Sequence, residues 1–176
     1  MSEPRPPLPV KPIASLIMAR RDIGEPVMRH LADFFGPPDL LGPWRPFTAT
    51  KYYDREMGPD LVRRCTSFLH LADPACLARW KVLTNGVEKE FSLGGRRLVN
   101  IDIGYVAKER LVLATGKNYT HRLYLKHGIF GEVTLVYSQG EFQALPWSYP
   151  DYAEKEMSAL LGLIRRKYLW QLQILA

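Results

Sequence analysis

The N-terminal third of the chain combines an apolar run with a segment of helical spacing. The run at residues 13–19 predicts a central strand that is buried on both faces. A helix is predicted next, because Pro26 suits a first turn and apolar residues recur every three or four positions until Gly36. Residues 40–48 contain two prolines that cannot donate to a sheet ladder, so we predict a proline-broken edge strand there.

The middle of the chain repeats this order of elements. A strand is predicted at residues 64–71, and Asp73-Pro74 then begins a helix with one apolar face that ends at Gly94-Gly95. Residues 98–103 alternate strictly between apolar and polar positions, as a half-buried strand does. The resulting order, β-α-β-β-α-β, is that of a ferredoxin-like core, in which helices cover one face of an antiparallel sheet and the other face is open.

The C-terminal third predicts an extension of this core. Residues 119–145 have the alternation and turns of a β-meander, and apolar positions at helical spacing follow Asp151. We therefore predict an α+β fold: a ferredoxin-like βαββαβ core extended by a C-terminal β-meander and a terminal helix. The prolines within residues 1–11 predict a disordered tail, which leaves residues 12–176 as a single α+β domain.

Composition restricts the environment and the partners. The N-terminus lacks the apolar segment of a signal peptide, and no stretch approaches the roughly 20 apolar residues of a membrane helix, which predicts a cytoplasmic protein with no membrane partner. Cys65 and Cys76 lack metal-site spacing and are predicted to be small buried or half-buried residues. The net charge of +6 favours an anionic partner.

Motifs of defined chemistry are absent from the sequence. Thr115-Gly116-Lys117 resembles the end of a phosphate loop, but that loop needs a glycine where Leu111 stands and a hydroxyl residue where Asn118 stands. The four histidines have no metal-ligand spacing, so no protein metal site is predicted.

Polar residues of two predicted strands point away from their apolar sides. Asn100 and Asp102 share one face of their strand. A three-residue loop at residues 126–128 would pair Leu125 with Ile129 and place Arg122 opposite Glu132. His121 would then lie on the apolar face with Leu123 and Leu125, as a core histidine or, less simply, as a general base near Glu132.

These faces predict one ligand site on the open side of the sheet. Its candidate residues are Lys51, Tyr53, Asn100, Asp102, Lys117, Arg122, Tyr124 and Glu132. Lysine and arginine suit a phosphate, while the two carboxylates could bind Mg²⁺ if the ligand is a nucleotide. The alternative is a solvated polar face with weak cross-strand ion pairs.

The chain also resembles a known family over residues 11–152. The resemblance rests on Thr50-Lys51-Tyr52-Tyr53 with Glu56-Met57-Gly58, Lys81-Val82-Leu83-Thr84-Asn85, Asn100-Ile101-Asp102-Ile103-Gly104-Tyr105, residues 117–124, residues 128–137, and Leu145-Pro146-Trp147 with Tyr149-Pro150-Asp151-Tyr152. The family is the bacterial domain of unknown function 4416. The resemblance implies a free-standing single-domain cytoplasmic protein, and it supplies no catalytic residues to carry over. Some members carry a GTP-binding label. This chain lacks the phosphate loop that such a label would lead one to expect.

Two functions follow as hypotheses. The first is binding of a nucleotide or another small phosphorylated ligand on the open face, with or without catalysis. The second is a non-catalytic nucleic-acid or protein-interaction module, which would use arginine doublets such as Arg96-Arg97 and the aromatic segment at residues 147–152.

Overall fold

The computed structural model describes residues 1–175 as a mixed α+β protein built on an antiparallel sheet. The strands are β1 (Lys11–Met18), β2 (Pro38–Leu41), β3 (Arg45–Pro46), β4 (Val62–Phe68), β5 (Ser92–Leu93), β6 (Arg96–Arg97), β7 (Val99–Val106), β8 (Arg110–Thr115), β9 (Leu123–Lys126), β10 (Ile129–Ser138) and β11 (Glu141–Ala144). The helices are α1 (Gly24–Phe35), α2 (Asp54–Met57), α3 (Leu77–Glu90) and α4 (Lys155–Leu175), with 3₁₀ turns at Pro74–Cys76 and Pro150–Tyr152.

The large sheet has the strand order β11-β10-β8-β7-β1-β4-β2, with β3 added beside β4 and β9 beside β10. All pairs are antiparallel. Every residue of β1 is buried, because β4 and β7 flank the strand and both of its faces are covered. The prediction of a central strand from the apolar run is confirmed. The proline-rich segment at residues 40–48 forms two short pieces, β2 and β3, at the edge of the sheet.

One face of the sheet carries α1 and α3. Leu31 of α1 and Trp80 of α3 pack with Leu16 and Ile101 from the sheet in one continuous core. The stripe predicted for α3 is confirmed, since Leu77, Trp80, Thr84 and Val87 are buried.

The opposite face is not open, and that expectation was wrong. Met157, Leu161, Ile164 and Tyr168 of α4 pack there against residues that include Ile13 and Leu111. A third, smaller core formed by Ile17, Phe47, Met57 and Leu61 covers the end of this face beside α2. Burying the apolar stripe of α4 requires a sheet face, and α1 and α3 already occupy the other one.

The β9–β10 hairpin differs from the predicted register. The turn has two residues, His127 and Gly128, both with positive φ, so Lys126 pairs with Ile129. A register shift after Ile129 then brings Tyr124 opposite Phe130 and restores the predicted alignment. The Arg122–Glu132 contact therefore forms, although the predicted loop length was wrong.

The predicted apolar face of the hairpin is wrong for the short strand β9 and only partly right for β10. Leu123 and Leu125 are exposed, whereas Glu132 and Thr134 of β10 are buried. His121 is only half-buried and lies outside the core.

Strands β7 and β8, in the middle of the sheet, are paired over only part of their length and then separate. Their pairing joins residues 104–106 to residues 111–113. N-terminal to this point, the Ile101 N–H donates to Glu88 Oε1 (2.8 Å) and the Ile101 carbonyl accepts from Lys81 Nζ (2.7 Å). Side chains of α3 thus replace a neighbouring strand, and the sheet opens between β7 and β8.

The N-terminal residues 1–8 are exposed and lie outside the helices and strands. Within residues 1–175, none of the helices combines the length and the apolar character that a membrane crossing requires. Both cysteines are free; Cys65 is buried and Cys76 is half-buried, as predicted.

Gly104 sits at the last pair before the strands part, and we expect it to tolerate no side chain. A Cβ there would overlap the carbonyl oxygen of Val112 and the side chain of Leu113. Gly104→Ala should lower the free energy of unfolding by roughly 1–3 kcal/mol, as overpacking does. Chemical denaturation measures this loss.

The matched control is Gly86→Ala in α3, where a Cβ meets nothing within 4 Å. This variant should gain about 0.5–1 kcal/mol, because alanine favours a helix interior over glycine. Equal losses in the two variants would contradict the close approach of β8 to Gly104.

Candidate functional site

A cavity of about 700 Å³ lies where β7 and β8 part. Its walls come from strands β1, β7, β8 and β10, from α3, from the segment around α2, and from residues 149–152. Ligand pockets typically measure about 300–1,000 Å³ and carry a few polar groups on an apolar lining, so this cavity has the size of a small-molecule site.

The cavity gathers six of the eight predicted site residues. These are Tyr53, Asn100, Asp102, Lys117, Arg122 and Glu132. Lys51 is exposed outside the lining, although its neighbours Thr50 and Tyr52 belong to it. Tyr124 is exposed on β9, where its ring packs edge-on against Phe130 with centroids 5.5 Å apart.

A partly buried ion network supports the wall formed by α3. Arg97 donates two hydrogen bonds to Glu56 (2.7 and 2.8 Å) and a third to Glu88 (2.8 Å). Glu88 also accepts from Lys81 (3.3 Å). Bidentate arginine–carboxylate contacts fix geometry as well as charge, so this network holds α2, α3 and β7 together.

The sequence analysis missed Glu88, Lys81 and Arg97. One available signal was the position of Lys81 and Glu88 directly after Trp80 and Val87 on the apolar stripe of α3, where exposed charges are not expected.

The same network orients Asp102. A guanidinium can only donate, so the Arg97 contact (3.0 Å) must be made to the oxygen of the Asn100 amide. The Asn100 nitrogen then faces Asp102 and donates to its Oδ1 (3.1 Å). Burial raises the pKa of Asp102, against the opposing effects of Lys81 and Arg63.

Arg63, Asp151 and Tyr152 form a second buried group, which the sequence analysis also missed. Arg63 pairs with Asp151, donates to Ser15 Oγ (2.9 Å), and stacks its guanidinium 4.5 Å from the Tyr152 ring centroid. Burial raises the pKa of the Tyr152 hydroxyl and of the Asp151 carboxyl. Within residues 1–175, the Tyr152 hydroxyl and Arg63 Nη2 are buried without a hydrogen-bond partner.

The other wall of the cavity carries Arg122 and Glu132. Arg122 donates to Glu132 Oε2 (2.8 Å) and to the Lys117 carbonyl (3.1 Å). His121 Nε2 lies 2.9 Å from the same Glu132 oxygen, and its ring stacks on Trp147 with centroids 5.0 Å apart. His121 thus contacts Glu132, but it is not part of the lining.

The exposed rim is bridged by Lys117 and Tyr52. Lys117 Nζ donates to the Tyr52 hydroxyl (2.8 Å), and this contact lowers the pKa of Tyr52. Lys117 follows β8 and Tyr52 precedes α2, so the bond joins opposite sides of the opening.

Eight charged side chains line the cavity, and six of them are paired. The paired groups are Lys81, Glu88, Arg97, Arg122, Glu132 and Asp151. Within the described part of the chain, Lys117 and Asp102 have no oppositely charged partner at ion-pair distance. Two charges of opposite sign are therefore available to a ligand.

Across residues 1–175, no group of three or more His, Cys, Asp or Glu side chains is placed to hold a metal ion.

The fold is that of a mixed α+β protein with a cavity between two strands of its sheet. The family model described as "Domain of unknown function (DUF4416)" matches residues 8–168, and the chain belongs to this family. No curated protein and no solved structure gives a significant match.

Asp102→Asn should stabilise the protein at neutral pH. The folded-state pKa of Asp102 lies above the ordinary 3.8, so the native state holds its proton to higher pH than the unfolded chain does. Stability is therefore lost as the pH rises from 3.8 through the folded pKa. Asparagine does not titrate, so the variant should be the more stable form above that window.

Denaturant unfolding at a series of pH values measures this gain. The difference between variant and wild type should shrink as the pH falls towards 3.8. A variant that is less stable at neutral pH, or a difference that is constant with pH, would contradict a raised pKa of Asp102 in the folded protein.

Proposed function

We propose that this protein binds a small phosphorylated ligand, with a nucleotide as the leading candidate, in the cavity between β7 and β8. The observation that carries the proposal is the Lys117 ammonium at the rim, which has no carboxylate at ion-pair distance within the described residues. Arg122 lies beside it and donates to the Lys117 carbonyl (3.1 Å). Lysine binds phosphate as a compact point charge with three donors, and arginine adds further donors.

The Lys117–Tyr52 bond is suited to exchange for a phosphate contact. Both side chains are exposed, so the bond between them adds little to stability. A phosphate oxygen gives a charge-assisted contact with the same ammonium. The Tyr52 hydroxyl accepts in this bond, so its own O–H is available to donate to the ligand.

Magnesium is proposed only as a companion of a nucleotide. Asp102 and Glu132 both line the cavity and offer hard oxygen ligands. Glu132 is already bonded to Arg122 and His121, so Asp102 is the carboxylate whose oxygens are more available to a cation.

We also propose that the core of the fold is ferredoxin-like. The strands β7-β1-β4-β2 are adjacent in that order, and α1 and α3 pack together on one face. In chain order these elements give the βαββαβ succession of that arrangement.

The contacts of the arginine doublets argue against nucleic-acid binding, the alternative function. Many of the arginines in the doublets are held by the protein itself: Arg20 by Asp22, Arg63 by Asp151, Arg64 by the Gly42 carbonyl, Arg97 by Glu56 and Glu88, and Arg165 by the Lys108 carbonyl. A phosphate track needs such side chains to be free.

Phosphorylated ligands should raise the melting temperature. A ligand that binds only the native state at 100 times its Kd stabilises it by about 2.7 kcal/mol. The panel is inorganic phosphate, pyrophosphate, ribose 5-phosphate and nucleoside mono- and triphosphates, each with and without Mg²⁺. Lys117→Ala should abolish most of the shift produced by the best ligand.

The control is Lys89→Ala, which removes an exposed lysine of α3 outside the cavity and should leave the shift unchanged. No shift with any member at millimolar concentration would refute the proposal. An undiminished shift in Lys117→Ala would place the phosphate elsewhere.

A further inference from the structure

We infer that the cavity recognises its ligand at two ends: a phosphate at Lys117 and a planar ring that donates N–H hydrogen bonds at Asp102. This inference rests on the proposed function, because it takes phosphate binding at Lys117 as given. It adds the chemical class of the rest of the ligand, namely a nitrogen heterocycle joined to the phosphate, as in a nucleotide.

The first support is the incomplete bonding of Asp102. Its Oδ1 accepts from Asn100, whose orientation Arg97 fixes, so the amide cannot rotate to serve another group. Asp102 lines the cavity and lacks an ion-pair partner among residues 1–175. A shielded carboxylate is costly unless donors reach it, and a ligand N–H would supply one.

The second support is the buried hydroxyl of Tyr152. This residue lines the cavity at 1% exposure, and within the described chain its hydroxyl has no hydrogen-bond partner. A buried hydroxyl without a partner costs free energy in the empty protein. Burial and the Asp102 charge both raise the pKa of this hydroxyl, and a heterocycle edge presents the donors and acceptors that a carboxylate and a hydroxyl require.

The third support is the aromatic character of the walls. Tyr53, Tyr149 and Phe47 line the same cavity, and Tyr53 packs edge-on against Phe47 with ring centroids 6.0 Å apart. Aromatic side chains give planar rings a stacking surface whatever the identity of the base. A sugar phosphate without a ring would leave this surface and Asp102 unused.

Isothermal titration calorimetry with ribose 5-phosphate and the four common nucleoside monophosphates tests the inference. At least one monophosphate should bind about ten-fold or more tightly than ribose 5-phosphate, since base stacking alone supplies such factors. Asp102→Asn should reduce that affinity to the level of ribose 5-phosphate and leave ribose 5-phosphate binding unchanged. Lys117→Ala should weaken both ligands by a similar factor.

Tyr152→Phe provides a second variant in case Asp102→Asn does not fold. It should be at least as stable as wild type without ligand, yet bind the monophosphate several-fold more weakly. Equal affinities for ribose 5-phosphate and all monophosphates would overturn the inference while the proposed function stands. Unchanged monophosphate binding in both variants would also overturn it. No binding by any of these ligands would refute both.

Discussion

The functional architecture of this protein depends on how the backbone of Ile101 is hydrogen-bonded. Buried N–H and C=O groups must find partners, and in a sheet these normally come from the next strand. Here β8 turns away beyond Gly104, and Glu88 and Lys81 of α3 bond Ile101 in its place. The sheet can therefore open without leaving its backbone unsatisfied, and the opening is the cavity.

The use of α3 side chains in place of a strand also determines which charged side chains of the cavity remain without an ion-pair partner. Glu88 and Lys81 are engaged in hydrogen bonds with the Ile101 backbone. Arg97 is engaged with Glu88, whose charge it neutralises, and with Asn100, which it orients. What is left is one cation at the rim, Lys117, and one carboxylate on the sheet, Asp102. Charges left without a partner do not serve stability, and such departures are where a functional role is expected.

Sequence reasoning found the elements and much of the cavity because both follow from local periodicity. Strict alternation placed Asn100 and Asp102 on one face, and the stripe of α3 identified its buried side. It could not show which sheet face α4 covers, since a stripe records that a helix is buried but not against what. It also missed the contact of Arg97 with Glu56, 41 residues away, because charge pairs at such separations leave no local pattern. The turn before β10 was mispredicted as three residues, because a two-residue turn and a shift after Ile129 together give β9 the alignment that the longer loop would give.

The central claim is that the opening between β7 and β8 is a ligand site. The most direct test is to map ligand-induced changes in amide chemical shifts by NMR. Titration with the best-binding phosphorylated compound should move the amides of residues 100–102, 116–117 and 52–53 and leave the exposed face of α4 unchanged. Shifts confined to α4 or to the N-terminal residues, with the amides of residues 100–102 unmoved at saturation, would contradict it.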